Sequence, residues 1–153
     1  MKTKRKINLL LGSFITLLIL SGITAFPIHS EIEFLFKLRY DFPDFMTNWI
    51  EQLHELISAT PTVMFYGTDW LAFAHIIISL FFIPLFKNPI QHQVNLKIGI
   101  IACIAIFPLA FICGPIRNIP FFQQLIDCSF GVFGGALLIY INSLINTFKN
   151  ENK

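Results

Sequence analysis

Four residues of this chain could do chemistry inside otherwise apolar surroundings: His75, Asp127, Arg117 and Asp69. Asp69 and Arg117 each precede or begin an apolar segment, and His75 and Asp127 lie five or six residues further in. With a helical rise of 1.5 Å per residue, His75 and Asp127 lie about 8 to 9 Å from the segment ends. Ionisable groups at such depth are rare and often functional. The set predicts a buried polar cluster that responds to protons or binds a ligand.

Each of these residues also has a structural interpretation. Asp69 could cap the start of a helix, and His75 could bond a backbone carbonyl inside the bundle. Arg117 could pair with Asp127 to hold a helical hairpin, or lie at the lipid headgroups. A carboxylate at this depth needs a partner or must be protonated, so a structural pair of Asp127 with Arg117 or His75 is an alternative to a chemical role.

The sequence predicts no catalytic residue, no metal site and no cofactor. His75, Asp127 and Cys128 are potential ligands, but the chain has no H-x-x-x-H or C-x-x-C spacing. It also lacks a nucleophile elbow, a phosphate-binding loop and a dinucleotide fingerprint. Cys103, Cys113 and Cys128 form no redox motif and suit small apolar positions in helices.

The composition predicts a membrane protein. Apolar residues make up 55% of the 153 residues and charged residues 13%, whereas soluble domains have about 25% charged residues. This argues against a soluble, disordered or nucleic-acid-binding chain. Four segments have the roughly 20 apolar residues that cross a bilayer: about 7–26, 70–86, 94–112 and 121–145. The prediction is one all-α membrane domain over residues 1–153, with four transmembrane helices in an antiparallel bundle.

The basic residues predict the orientation, because Lys and Arg accumulate in cytoplasmic loops. With the N-terminus inside, eight of the eleven lie inside and three outside. The inner residues are Lys2, Lys4, Arg5, Lys6, Lys87, Lys97, Lys149 and Lys153, and the outer ones are Lys37, Arg39 and Arg117. The chain is therefore predicted to be N-in and C-in. Its first segment is predicted to be an uncleaved anchor, because its apolar run exceeds that of a signal peptide.

The sizeable loop, residues 27–68, is periplasmic in this topology. Residues 32–40 alternate between apolar and charged types as a strand does, but Leu35 breaks the alternation and a short helix is the alternative. Apolar residues then follow helical spacing and predict an amphipathic helix over about 44–58. This helix could lie on the outer leaflet, cover the bundle mouth or face a partner protein. Its acidic polar face disfavours anionic lipid.

Small and kinking residues predict how the spans pack. Gly131 and Gly135 form a small-xxx-small pair that lets another helix approach span four closely. That helix could belong to this chain or to a second copy, which would make a homo-oligomer through span four. Pro84 and Pro108 are expected to kink spans two and three.

Two stretches carry a resemblance: YGTDWLAFAH at 66–75, and GPIRNIPFF at 114–122 continuing as LIDCSFG at 125–131. They resemble an uncharacterised group of small four-span inner-membrane proteins of Bacteroidetes-type bacteria. The resemblance covers spans two to four and implies a bacterial inner (cytoplasmic) membrane. It implies no activity, substrate or cofactor.

The functional prediction is a small integral membrane protein that is not an enzyme, but an accessory or partner-binding subunit acting at the periplasmic face. The alternative is a small carrier or membrane enzyme with a proton-responsive outer-leaflet site at His75, Asp127 and Arg117. The expected partners are the lipid bilayer, a membrane or periplasmic protein and a second copy of the chain, and not nucleic acid.

Overall fold

The computed structural model describes residues 2–151, and within them the regular structure is helical, with no strand. The helices are α1 (Lys2–Thr24), α2 (Ile28–Lys37), α3 (Asp44–Ala59), α4 (Tyr66–Leu80), α5 (Pro84–Lys87), α6 (Gln93–Ile116) and α7 (Phe121–Glu151). Short 3-10 turns lie at Arg39–Asp41 and Thr62–Phe65. The predicted all-α class is confirmed. Lys153 and the side chain of Lys2, which entered the orientation count, lie outside the described part of the chain.

Four helical segments are long and apolar enough to cross a membrane: Thr3–Thr24, Thr62–Lys87, Gln93–Ile116 and Phe121–Glu151. They confirm the four predicted spans and support a transmembrane protein. α1 ends at Thr24, before the predicted end at 26, whereas α6 and α7 run past the predicted span ends, most clearly α7, which continues six residues beyond Ile145. A polar extension such as this can stay helical outside the hydrocarbon, because a helix needs apolar residues only where it meets lipid.

The strand-like interpretation of residues 32–40 is wrong, because α2 makes most of this segment helical. Leu35, which broke the alternation, lies at the i+3 position from the buried Ile32. His29 and Glu33 lie one helical turn apart, with Nδ1 and Oε1 separated by 3.6 Å. The predicted amphipathic helix is confirmed as α3, with Ile50 and its i+7 neighbour Ile57 buried.

Span two contains a break at the predicted proline. α4 ends at Leu80 and α5 begins at Pro84. The N–H groups of residues 81–83 each bond the carbonyl three residues earlier, because a proline nitrogen cannot donate the bond that would continue the helix. α6 is different, since it runs through Pro108 and Pro115 as one helix.

The chain divides into two compact units. The first comprises Met1–Leu17 and Ile78–Lys153, and therefore the start of α1 with α5, α6 and α7. The second is Leu18–Ile77, which holds the end of α1, α2, α3 and most of α4.

In the first unit, α6 and α7 form an antiparallel hairpin, as predicted for the last two spans. Residues later in α7 contact residues earlier in α6. The pairs are Gln124 with Gly114, Gly131 with Cys103, and Asn142 with Gln93. In the same unit, Phe14 of α1 packs against two other aromatic rings. Its ring centroid lies 5.0 Å from that of Phe82 and 5.9 Å from that of Phe130.

The predicted glycine pair of span four faces α6 of the same chain. A Cβ added at Gly131 would lie 2.9 Å from the backbone oxygen of Cys103, and one at Gly135 would lie 3.3 Å from the Cys103 Cβ. The two glycines thus allow α6 to approach α7 closely. Self-association through span four would need another face of α7.

Side-chain hydrogen bonds that the sequence did not predict join the start of α6 to the second half of α7, and we call them the polar lock. Gln93 Nε2 donates to Asn142 Oδ1 and Asn146 Oδ1, each at 2.8 Å. We expect Gln93→Ala to lower the free energy of unfolding in detergent by about 1 kcal/mol, a usual contribution for polar contacts between membrane helices. The exposed Asn150 provides the matched control, since Asn150→Ala should change nothing. Equal unfolding curves for the two variants would contradict the lock.

Candidate functional site

The second unit contains a tightly bonded corner between α2 and α3, centred on Arg39. Its Nε donates to Glu51 Oε1 at 3.0 Å, its Nη1 to the Phe36 carbonyl at 2.7 Å and its Nη2 to the Tyr40 hydroxyl at 2.7 Å. The guanidinium carbon also lies 3.8 Å from the centroid of the Phe36 ring and 4.2 Å from that of Tyr40. The planar, multiply donating guanidinium suits such a corner.

Neighbouring side chains brace the same corner. The Phe36 and His54 rings stack with centroids 3.9 Å apart and planes at 12°. Thr47 Oγ1 donates to the Arg39 carbonyl at 2.7 Å. These contacts hold together α2, the 3-10 turn and α3. We call this segment, residues 28–59, the α2–α3 hairpin.

The α2–α3 hairpin combines negative charge with exposed apolar side chains. It has six acidic and two basic residues, which give a formal charge of −4 with His neutral. Phe34 and Leu56 are 61% and 63% exposed. Ile32, Ile50 and Ile57 are its buried apolar residues. The hairpin therefore presents an acidic surface that includes uncovered large apolar groups.

In the first unit, Asp127 and Arg117 are both exposed. The Asp127 carboxylate accepts a hydrogen bond from Gln123 Nε2 at 3.0 Å, one helical turn earlier. Within residues 2–151 no ion pair joins it to Arg117. The turn between α6 and α7 is instead closed by backbone bonding of Ile119 N–H to the Gly114 carbonyl at 2.9 Å.

In the second unit, His75 is half-buried and its Nδ1 lies 2.9 Å from the Leu71 carbonyl oxygen, within hydrogen-bond distance. Asp69 lies in the first turn of α4, which begins three residues earlier at Tyr66, so it does not occupy the cap position. A carboxylate there still favours the helix through its dipole. The convergence of these two residues with Asp127 and Arg117 of the other unit stays a prediction.

His75 lies beside a close helix contact that the sequence did not predict. A Cβ added at Gly22 of α1 would lie 2.7 Å from the carbonyl oxygen of Ala72 and 3.0 Å from the His75 Cβ. Gly22 therefore lets α1 touch the backbone of α4. The sequence did carry a signal for this contact: Gly22 is a small residue in an apolar span, and membrane helices approach each other closely at small residues.

Two lysines are among the residues that line a pocket in the first unit, near the start of α1. The pocket has a volume of about 480 Å³. Its lining includes Lys4, Lys87, Asn88, Gln91 and Phe148. Lys4 Nζ donates to the Lys87 carbonyl at 3.3 Å. Two of the lysines assigned to the inner side by the orientation count therefore lie close together.

No group of three or more His, Cys, Asp or Glu side chains within residues 2–151 is arranged to hold a metal ion. Cys103 and Cys128 are buried and Cys113 is exposed, and all three are free thiols. A Cys103 or Cys128 side chain here fills helix contacts as a small apolar group does.

Comparisons of the chain with protein-family models, with curated proteins and with solved structures gave no match.

Proposed function

We propose that this protein is a non-enzymatic accessory subunit of the inner membrane of a Bacteroidetes-type bacterium, and that its α2–α3 hairpin binds a partner protein at the periplasmic face. The observation that carries the proposal is the hairpin itself. It is fixed by Arg39, has a charge of −4 and exposes large apolar side chains such as Phe34 and Leu56. Exposed apolar groups framed by polar residues are typical of interaction surfaces.

The charge of the hairpin favours a protein partner over a lipid surface. Anionic lipids attract basic segments and repel acidic ones, whereas a partner with basic residues around an apolar patch would complement the hairpin. The bonded corner at Arg39 also favours binding, since a rigid surface loses less conformational entropy when it docks.

The distribution of basic residues supports the N-in, C-in orientation that the proposal requires. Lys4 and Lys87 line one pocket near the start of α1, and the acids concentrate in the hairpin, with six of the nine between residues 28 and 59. Lys and Arg are retained on the cytoplasmic side of bacterial membranes. The acidic hairpin then lies on the opposite, periplasmic side.

Affinity purification in mild detergent tests the proposal. We expect the full-length chain to retain a stoichiometric partner, and the double variant Phe34→Ser, Leu56→Ser to lose at least about nine-tenths of it, as expected when central apolar contacts are removed. Lys37→Ser changes an exposed residue of the same hairpin and should retain the partner. The proposal fails if both variants recover the same proteins as the unmodified chain, or if no protein is recovered in stoichiometric amount.

A further inference from the structure

The pocket lined by Lys4 and Lys87 brings together three separate parts of the first unit. Lys4 belongs to α1, Lys87 is the last residue of α5, and Phe148 lies near the end of α7. The connection between α5 and α6 adds Asn88 and Gln91. The volume of about 480 Å³ lies within the range of small-molecule sites, about 300 to 1,000 Å³. The pocket therefore lies between helix ends, on the side of the protein that is predicted to face the cytoplasm.

The charge of this pocket is positive. Lys4 and Lys87 are the charged residues among those described that line it. Neither lysine forms an ion pair with an acidic side chain of residues 2–151. Glu151, the acidic residue at this end of the chain, instead accepts a hydrogen bond from Thr3 Oγ1 at 3.3 Å. Because two cations that share a pocket repel each other, a bound anion would stabilise this arrangement.

Helix capping explains one of the two lysines. Lys4 Nζ donates to the Lys87 carbonyl at 3.3 Å, and lysines often bond the free carbonyls at the end of a helix. An ammonium group has three donors, so this bond leaves two for a ligand. The Lys87 side chain is exposed and takes no part in the cap. Capping therefore does not account for the second positive charge of the pocket.

The other lining residues favour a phosphate group as the anion. Asn88 Nδ2 donates to Gln91 Oε1 at 3.4 Å, which leaves the Gln91 amide nitrogen as a further donor. Ammonium and amide donors together suit the several oxygens of a phosphate. The remaining lining is apolar and includes Phe148. Basic pockets between membrane helices on the cytoplasmic side commonly bind anionic lipid headgroups.

We propose that the pocket lined by Lys4, Lys87, Asn88 and Gln91 binds a phosphate group. The same chemistry is found in the headgroup of an anionic phospholipid and in a soluble phosphate compound. The pocket belongs to the first unit and contains no residue of the α2–α3 hairpin, which carries the partner proposal. Failure of one proposal therefore leaves the other standing.

Thermal unfolding of the full chain in a maltoside detergent, after bound lipid has been washed away, tests the site. A ligand that binds the folded state raises the unfolding midpoint in a saturable way. We expect such a rise with dioctanoyl phosphatidylglycerol, with inorganic phosphate or with both. Dioctanoylglycerol, which has the same acyl chains and no phosphate, should give none. The proposal is overturned if neither phosphate probe gives a saturable rise, or if inorganic phosphate gives none and the two lipids act equally.

A pair of double variants tests whether the pocket itself holds the phosphate. Lys4→Gln with Lys87→Gln should weaken binding of the effective probe about tenfold or more, as expected when two partly exposed charge contacts are lost. Lys97→Gln with Lys149→Gln removes the same charge from two exposed lysines outside the pocket and should retain binding. Equal weakening in the two double variants would assign the effect to net charge and overturn the proposal.

Single variants separate phosphate binding from helix capping. Lys87→Gln should weaken binding of the probe and leave the midpoint of the unliganded protein unchanged, because the Lys87 side chain is exposed and outside the cap. Lys4→Gln should lower the unliganded midpoint and also weaken binding. If Lys4→Gln lowers only the midpoint and Lys87→Gln leaves binding unchanged, capping is the whole role of the contact and the proposal is overturned.

The two phosphate probes distinguish the sources of the phosphate group. A rise with dioctanoyl phosphatidylglycerol and none with inorganic phosphate at equal ionic strength identifies a lipid headgroup as the ligand. A rise with inorganic phosphate identifies a soluble phosphate compound, because binding then needs no acyl chain. Sodium chloride at the same ionic strength is the control for screening, and an equal rise with chloride would overturn phosphate binding.

Discussion

Gly22→Ala is expected to destabilise the protein by about 1 to 3 kcal/mol, the usual range for overpacking a close contact. The new Cβ would lie 2.7 Å from the backbone oxygen of Ala72. Because that obstacle is backbone, no change of side-chain rotamer can relieve it. The two helices, α1 and α4, must separate or shift at this point.

Gly12→Ala is the matched control for this prediction. Gly12 lies in the same helix, and a Cβ there would meet nothing within 4 Å. Alanine should be neutral at this position, or stabilising by up to about 1 kcal/mol, because it favours a helix more than glycine does. Unfolding of both variants in the same mixed detergent measures the difference. The close contact is refuted if Gly22→Ala is as stable as Gly12→Ala.

Arg39→Met should lower the free energy needed to open the α2–α3 hairpin by about 2 kcal/mol. The variant loses three donated hydrogen bonds and the contacts with two rings. Most of the effect should come from the bonds to Phe36 and Tyr40 and from the ring contacts. The carboxylate partner Glu51 is 42% exposed, and exposed ion pairs contribute little.

Amide hydrogen exchange measures this loosening. A change of about 2 kcal/mol corresponds to roughly thirtyfold faster exchange for amides that exchange through opening of the hairpin. Lys37→Met, which removes a neighbouring exposed cation, should leave exchange unchanged. Arg39→Lys should recover little, because lysine lacks the planar fork that donates in three directions. Identical exchange in Arg39→Met and Lys37→Met would contradict the assigned role.

The four spans and α3 were predictable because their signals are local. A span needs a run of apolar residues of fixed length, and an amphipathic helix of sixteen residues repeats its pattern several times. The ten residues of α2 gave a weaker signal. Its apolar and charged residues alternate for a few positions, and such a short run fits either a strand or a helix.

The arrangement of side chains between helices was less predictable. Depth along a helix follows from its constant rise, so His75 and Asp127 could be assigned similar depths. The direction in which each side chain points depends on how the helices pack, and the sequence does not encode that locally. Arg39 was missed for the same reason, because its partner Glu51 lies twelve residues away in another helix. Gly22 offered a signal, since small residues mark close helix contacts.

Site-specific photocrosslinking in intact cells tests the central claim, that the α2–α3 hairpin contacts a protein. A photoreactive residue replaces Leu56 of the hairpin in one variant and Ile104 of α6 in the other, both of which are largely exposed. We predict a discrete protein adduct from position 56 that position 104, on an apolar span, does not give. The absence of a protein adduct at position 56, or the same adduct from both positions, would contradict the account.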